Sequence, residues 1–298
     1  MISRRNLLRQ GVGLGAAGGV ASLAGCNDTT AGDTESETET DGGPTSYIEW
    51  LSDPTARDVG EVQFGYTDVA GLLETDAFVK ADTMRESYRD VFGERFDIES
   101  VAYSLTVDRL FVLSGEFDGS TIVADRGLED DGRYGKFDIY TGAPGGFAFA
   151  ATDEYLVAAT DPTGRERGPR AALESAIDAA NGDGDRFVDE SDEFSRLVAE
   201  LPAGAVVSGT VSTEPDAGTG GNDRRVGVGT SQRLSDDRLI TGGVIRYADE
   251  DAADAADLET AADDFTGETA AVTEIAQEGR TVTVTVETAP EDMTLNLP

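Results

Sequence analysis

From Tyr47 onward the apolar positions fall into short blocks, some with a period of two and some with a period of three to four. Val62-Gln63-Phe64-Gly65-Tyr66 alternates and predicts a strand. Residues 82–93 put Met84, Tyr88, Val91 and Phe92 on one helical face. Strands are predicted over Val101 to Leu105 and Leu110 to Phe117, and Asp118 is placed to cap a short helix running to Leu128. A strand over Tyr134 to Tyr140 sets Phe137 and Ile139 on the same side. The clearest hairpin follows, with Phe147 to Ala151 and Tyr155 to Ala159 flanking Thr152-Asp153-Glu154.

A helix begins at Pro169, carries Leu173, Ala176, Ile177 and Ala180 as its stripe, and stops at Asn181-Gly182. Another spans Ser191 to Leu201, with Phe194, Leu197, Val198 and Leu201 inward and Pro202 as its stop. Ala205 to Val211 predicts a strand; 214–224 is a Gly/Asp/Thr-rich loop; strands follow at 226–231 and 238–247. A helix over 250–264 buries Leu258, Ala261, Ala262 and Phe265. A last hairpin pairs 269–277 with 280–288 around Glu278-Gly279, and its second strand, Thr281-Val-Thr-Val-Thr-Val286, alternates as a half-wet strand does. Asp108-Arg109-Leu110 and Asp237-Arg238-Leu239 each open a strand that leads to a helix and further strands. Three shared residues leave open both a duplication into related ββαββ halves, about 47–202 and 203–298, and a coincidence. The expected class is α+β, with antiparallel sheets and helices packed on one face.

Charge changes the picture of what such a fold could do. The 298 residues hold 59 Asp and Glu, 23 Lys and Arg and no His, for a formal charge of −36. Such a surface repels phosphate backbones, so nucleic acid is not an expected partner. The lack of His removes Ser-His-Asp and Cys-His nucleophiles and His-bound metals. A single Cys removes intramolecular disulfides and thiolate clusters. Only Lys80 and Lys136 are lysines. Many acids with few lysines resembles proteins of salt-loving archaea, because a carboxylate surface holds hydrated cations and strong salt screens its self-repulsion. An acidic protein of ordinary salt is the other reading.

The N-terminus reads as an address. Ser3-Arg4-Arg5-Asn6-Leu7-Leu8-Arg9 looks like the twin-arginine export motif. The apolar Gly/Ala-rich stretch from Gly11 to Gly25 is too short to span a bilayer and suits a signal segment. It ends in Leu23-Ala24-Gly25-Cys26, which resembles a lipobox, in which the chain is cut before the Cys and the sulfur carries a lipid. Residues 1–25 are therefore expected to be a removable signal peptide. Their loss takes away three arginines and no acid, moving the formal charge from −36 to −39. Residues 26–46 are expected to be a disordered tether: 27–46 hold six acids, no base, and Ala31 and Pro44 as the apolar side chains. Asn27-Asp28-Thr29 is a glycosylation sequon, which chance also produces. The globular region is expected over 47–298. Its membrane partner is reached through the lipid on Cys26, on the outer face of the cytoplasmic membrane, with any protein or small-solute partner unidentified.

Three stretches together carry a wider resemblance: Asp97-Ile-Glu-Ser-Val101 with Gly115-Glu-Phe-Asp118; the hairpin with Ala171-Ala-Leu-Glu-Ser-Ala-Ile177; and Phe187-Val-Asp-Glu-Ser-Asp-Glu-Phe194 running to Leu201-Pro202. They resemble a family of haloarchaeal twin-arginine-exported lipoproteins with a secreted domain of unknown function. The resemblance implies a cell-surface protein without an assigned activity, and it supplies no site residues.

Two constellations could carry chemistry. Asn181, Asp183, Asp185, the Phe187 carbonyl, Asp189 and Asp192 fall at the ligand positions of a calcium loop. Arg186 stands where that loop needs Gly, and Asp192 where it needs a longer Glu, so a solvated loop with helix caps is the plainer reading. Arg165, Arg167 and Arg170 precede a helix start where an anion could sit, or pair internally with the many acids. Gly227-Val-Gly229 lacks the rest of a dinucleotide fingerprint. A carboxylate pair for glycoside hydrolysis is not singled out, and Trp50 is the sole Trp for stacking on sugars. The reading that results is a non-catalytic structural or interaction module, not an enzyme, with no cofactor, no metal ligand and no catalytic residue assigned. The alternative is a tethered binder of Ca²⁺ or a small solute, and less favoured still is a carboxylate hydrolase. Its assigned residues are Arg4 and Arg5 for export and Cys26 for lipidation.

Overall fold

The computed structural model describes residues 46–52, 60–75, 81–142, 146–160, 168–212, 224–235, 238–266 and 270–289. The export motif, Cys26, Asn27, nearly all of the tether, Arg165, Arg167 and nearly all of the 214–224 loop lie outside them.

After a 3-10 turn at Ser46–Trp50, the chain runs β1 (Glu61–Asp68), α1 (Val69–Leu73), α2 (Ala81–Phe92), β2 (Val101–Val107), β3 (Leu110–Gly115) and α3 (Gly119–Arg126). A meander follows: β4 (Glu129–Tyr134), β5 (Phe137–Gly142), β6 (Phe147–Ala151) and β7 (Tyr155–Thr160). Three helices come next, α4 (Gly168–Asn181), α5 (Phe187–Glu190) and α6 (Asp192–Glu200). The chain ends with β8 (Val206–Ser212), β9 (Arg225–Ser235), β10 (Arg238–Tyr247), α7 (Glu250–Asp254), α8 (Leu258–Asp263), β11 (Ala271–Glu278) and β12 (Thr281–Thr288). The strands form one 12-stranded sheet in the order β11-β12-β10-β9-β8-β1-β2-β3-β7-β6-β5-β4. Its neighbouring pairs are antiparallel throughout. The class is α+β and antiparallel, as the patterning anticipates.

Helices cover both faces of this sheet, where the patterning put them on one. The reason is visible in β3, β6 and β7, whose consecutive residues are apolar. Val112 and Val157 join a core with Phe64, Tyr66 and Leu105 beneath Leu173 and Ile177 of α4 and Phe194 and Leu197 of α6. Their neighbours Leu113, Leu156 and Phe149 point the other way, to Leu72 of α1, Met84 and Phe92 of α2 and Ile122 of α3. A strand buried on both sides needs cover on both sides. Farther along this second face, Ile245, Val282 and Val284 pack under Ala253, Ala261 and Ala262 of α7 and α8.

The strand order is similar on the two sides of the central β1–β8 pair. β1, α1, α2, β2, β3 and α3 lead to a meander whose last strand, β7, docks beside β3; β8, β9, β10, α7 and α8, with no helix between β8 and β9, lead to a hairpin whose last strand, β12, docks beside β10. Phe64 pairs with Gly209 at the middle of the ladder. A Cβ on Gly209 would lie 2.7 Å from the Phe64 ring, so the glycine makes room for the phenyl group. The Asp-Arg-Leu match is a separate matter: Leu110 faces α4 and Leu239 faces the opposite core, so these residues are not equivalent in the two arrangements.

Two local expectations change. The single strand over Tyr134 to Tyr140 is a hairpin, β4–β5, turned at Gly135 with φ 57°. The sequence Glu-Asp-Asp-Gly-Arg-Tyr of β4 is an exposed sheet edge, so it has no apolar alternation to read; its acids and its irregular register discourage further pairing. The helix over 250–264 is two short helices, because Asp257 accepts from the amides of Glu259 and Thr260 and starts α8 afresh.

Candidate functional site

The acidic run at 181–192 does not close on itself. Gly182 ends α4 at φ 76°, and the amides of Asp183 and Gly184 donate to the Asp178 carbonyl at 2.9 and 3.1 Å. The Asp178 carboxylate accepts from the Tyr134 hydroxyl, 2.8 Å from each oxygen. That bond pushes the Tyr134 hydroxyl up to about 12. The Phe187 carbonyl accepts from Ser191 N at 2.9 Å, and Asp189 and Asp192 sit in the first turns of two different helices. Among the described residues no three acidic side chains are arranged to hold a metal ion. Arg170 is paired with Asp131 at 2.7 Å and Glu174 at 2.8 Å, which is the internal pairing, and both partners raise its pKa, with Glu174 the stronger.

A concavity among the described residues lies elsewhere, on the second face of β1, β2, β8 and β9. Register builds it. Gly65 of β1 lies between Thr106 of β2 and Ser208 of β8, and Ser208 pairs in turn with Thr230 of β9. The next row is Gln63, Thr210 and Val228. Because alternate residues share a face, these polar side chains all stand on one side, while Val62, Phe64, Val207 and Val211 fill the core on the other. The result is a groove of about 540 Å³ lined by Gln63, Thr106, Asp108, Ser208, Thr210 and Thr230. Ser208 and Thr230 share a hydrogen bond at 2.9 Å. Asp108, the acidic residue of the lining, has φ 50° in the β2–β3 turn and accepts from Gln63 N at 3.1 Å. Its carboxylate thus secures the hairpin against β1.

The row behind the groove is polar too but covered. Thr67, Ser104, Gln232 and Thr241 are buried, and Gln232 Nε2 donates to Thr241 Oγ1 at 3.4 Å. Tyr88 of α2 contacts Ser104, and burial pushes its hydroxyl up to about 12. The groove is therefore the open continuation of a polar stripe that is buried elsewhere, at Ser104 against Tyr88 of α2. Hydroxyl and amide groups in this setting can donate and accept without adding charge.

No family model matches the chain, and no curated protein matches it. Among solved structures it is similar to crystal forms of TP0453, each at 9% identity. Form III gives a TM-score of 0.48 and covers 82% of this chain and 94% of that one. Form I gives 0.45 with 83% and 94%, and form IV gives 0.43 with 77% and 89%.

Sequence reasoning missed one further cluster, on the α4 face. Arg246 of β10 is 2% exposed beneath α6. Its Nε donates to Glu193 at 3.2 Å, and its Nη1 donates to Glu200 at 2.8 Å and Thr281 Oγ1 at 3.0 Å. Arg280 also binds Glu193. Two guanidinium groups and two carboxylates thus balance in charge. Beside them Leu197 and Leu201 press on β9 at Gly229, where a Cβ would lie 2.9 Å from Leu201, while Gly227 has room for one at ordinary contact distance. A smaller concavity of about 470 Å³ near α7 and α8 holds Arg224 and Arg225, which pair with Asp249 and Asp264.

Proposed function

We propose that this chain is a lipid-anchored, non-catalytic surface module of a salt-adapted cell, which presents the hydroxyl-lined groove as a contact surface. The observation that carries the reading is the order Arg4-Arg5, apolar stretch, Leu23-Ala24-Gly25-Cys26, followed by an acidic spacer that ends where the fold begins. The topology supports export in the folded state. β1 is paired on one side with β2 and on the other with β8, far downstream, so the centre of the sheet forms only when most of the chain is available. A route that carries folded proteins suits such a sheet. The lining of the groove supports a contact role, since Asp108, the acid among its described residues, already serves the backbone of β1.

Expression in a salt-loving archaeal host tests the anchor. The wild-type chain is expected in the membrane fraction and in the detergent phase, with a mature mass that includes lipid on Cys26. Cys26→Ser is expected to leave the detergent phase. A double Arg4→Lys, Arg5→Lys variant is expected to accumulate as precursor inside the cell. A Cys26→Ser protein that still partitions with detergent would overturn the reading.

A further inference from the structure

We draw no further inference here: the strongest candidate, the hydroxyl-lined groove on the second face of β1, β8 and β9, is the site already described, and nothing in the structure shows what covers it.

Discussion

Replacing Glu193 by Gln removes one charge from a neutral four-charge cluster, leaves Arg246 with Glu200, and takes the Glu193 carboxylate from Arg280. The cost follows from burial. The Arg246 side chain is 2% exposed and that of Glu193 13%, so neither charge recovers its hydration when the partner is lost. Breaking a buried pair from one side costs about 3–5 kcal/mol. The residual bond to Glu200 puts Glu193→Gln near the lower end, about 3 kcal/mol. Glu200 is 36% exposed, and Glu200→Gln is expected to cost roughly 1 kcal/mol. For a domain of this size each kcal/mol moves the midpoint by about 2–4 °C, so the two variants separate clearly by melting. Urea unfolding in molar KCl is the assay, because guanidinium chloride is itself a salt. The exposed Arg133–Asp138 pair, 69% and 52% exposed, is the reference: its loss is expected to cost under about 1 kcal/mol and to shrink as KCl rises. The loss in Glu193→Gln is expected to persist in strong salt. A double variant, Glu193→Gln with Arg246→Met, is expected to recover part of the stability, since the buried cation that lost one of its two carboxylates is gone. A Glu193→Gln cost no larger than that of the exposed pair would refute the assignment of this cluster as buried and unscreened.

Other consequences are open to measurement. With a formal charge of −36, the melting temperature is expected to rise as KCl goes from about 0.1 M to about 1 M and the Debye length falls from about 10 to about 3 Å; a flat profile would count against salt adaptation. Gly209→Ala places a methyl group 2.7 Å from the Phe64 ring and 2.9 Å from the Val228 carbonyl, and is expected to cost roughly 1–3 kcal/mol. Gly227→Ala, whose nearest neighbour is at 3.5 Å, serves as its control and should show a smaller loss in the same urea titration. Tyr134 is held above its ordinary value, to about 12, by donation to Asp178. Its contribution is therefore complete below pH 10 and fades as pH rises from 10 to 12. Tyr134→Phe is expected to lower stability at pH 7 and to remove its share of that alkaline decline, leaving the shares of Tyr88, Tyr140 and Tyr155, which are also held above their ordinary value; identical alkaline profiles for variant and wild type would contradict it.

Much of the fold was legible because its signals are local. Asp118 caps α3 through Ser120 N, Gly182 and Gly279 turn with positive φ, and Val282, Val284 and Val286 are buried as the alternation of β12 demands. The placement of helices on both faces was also written locally, in the unbroken apolar runs of β3 and β6. The expectation of one helical face followed from the order of elements and passed over those runs. The strand β4 was not legible, since an exposed edge strand imposes no apolar requirement on its residues.

The candidate site was illegible for a different reason. Gln63, Thr106, Ser208 and Thr230 each look like the wet side of an alternating strand, and singly that is what they are. They become one surface only because β2, β1, β8 and β9 are neighbours in a register that no local pattern encodes. The Arg246 cluster lies between these cases. A lone cation inside Val244-Ile245-Arg246-Tyr247 is a visible anomaly, because a base with apolar neighbours on a central strand must find a buried acid or stay solvated. Glu193 and Glu200 are seven residues apart, two turns of α6, and so share a face that also receives Leu197. A base in an apolar strand and two acids on the inward side of a helix are therefore a readable pair of signals. Only their meeting required the sheet.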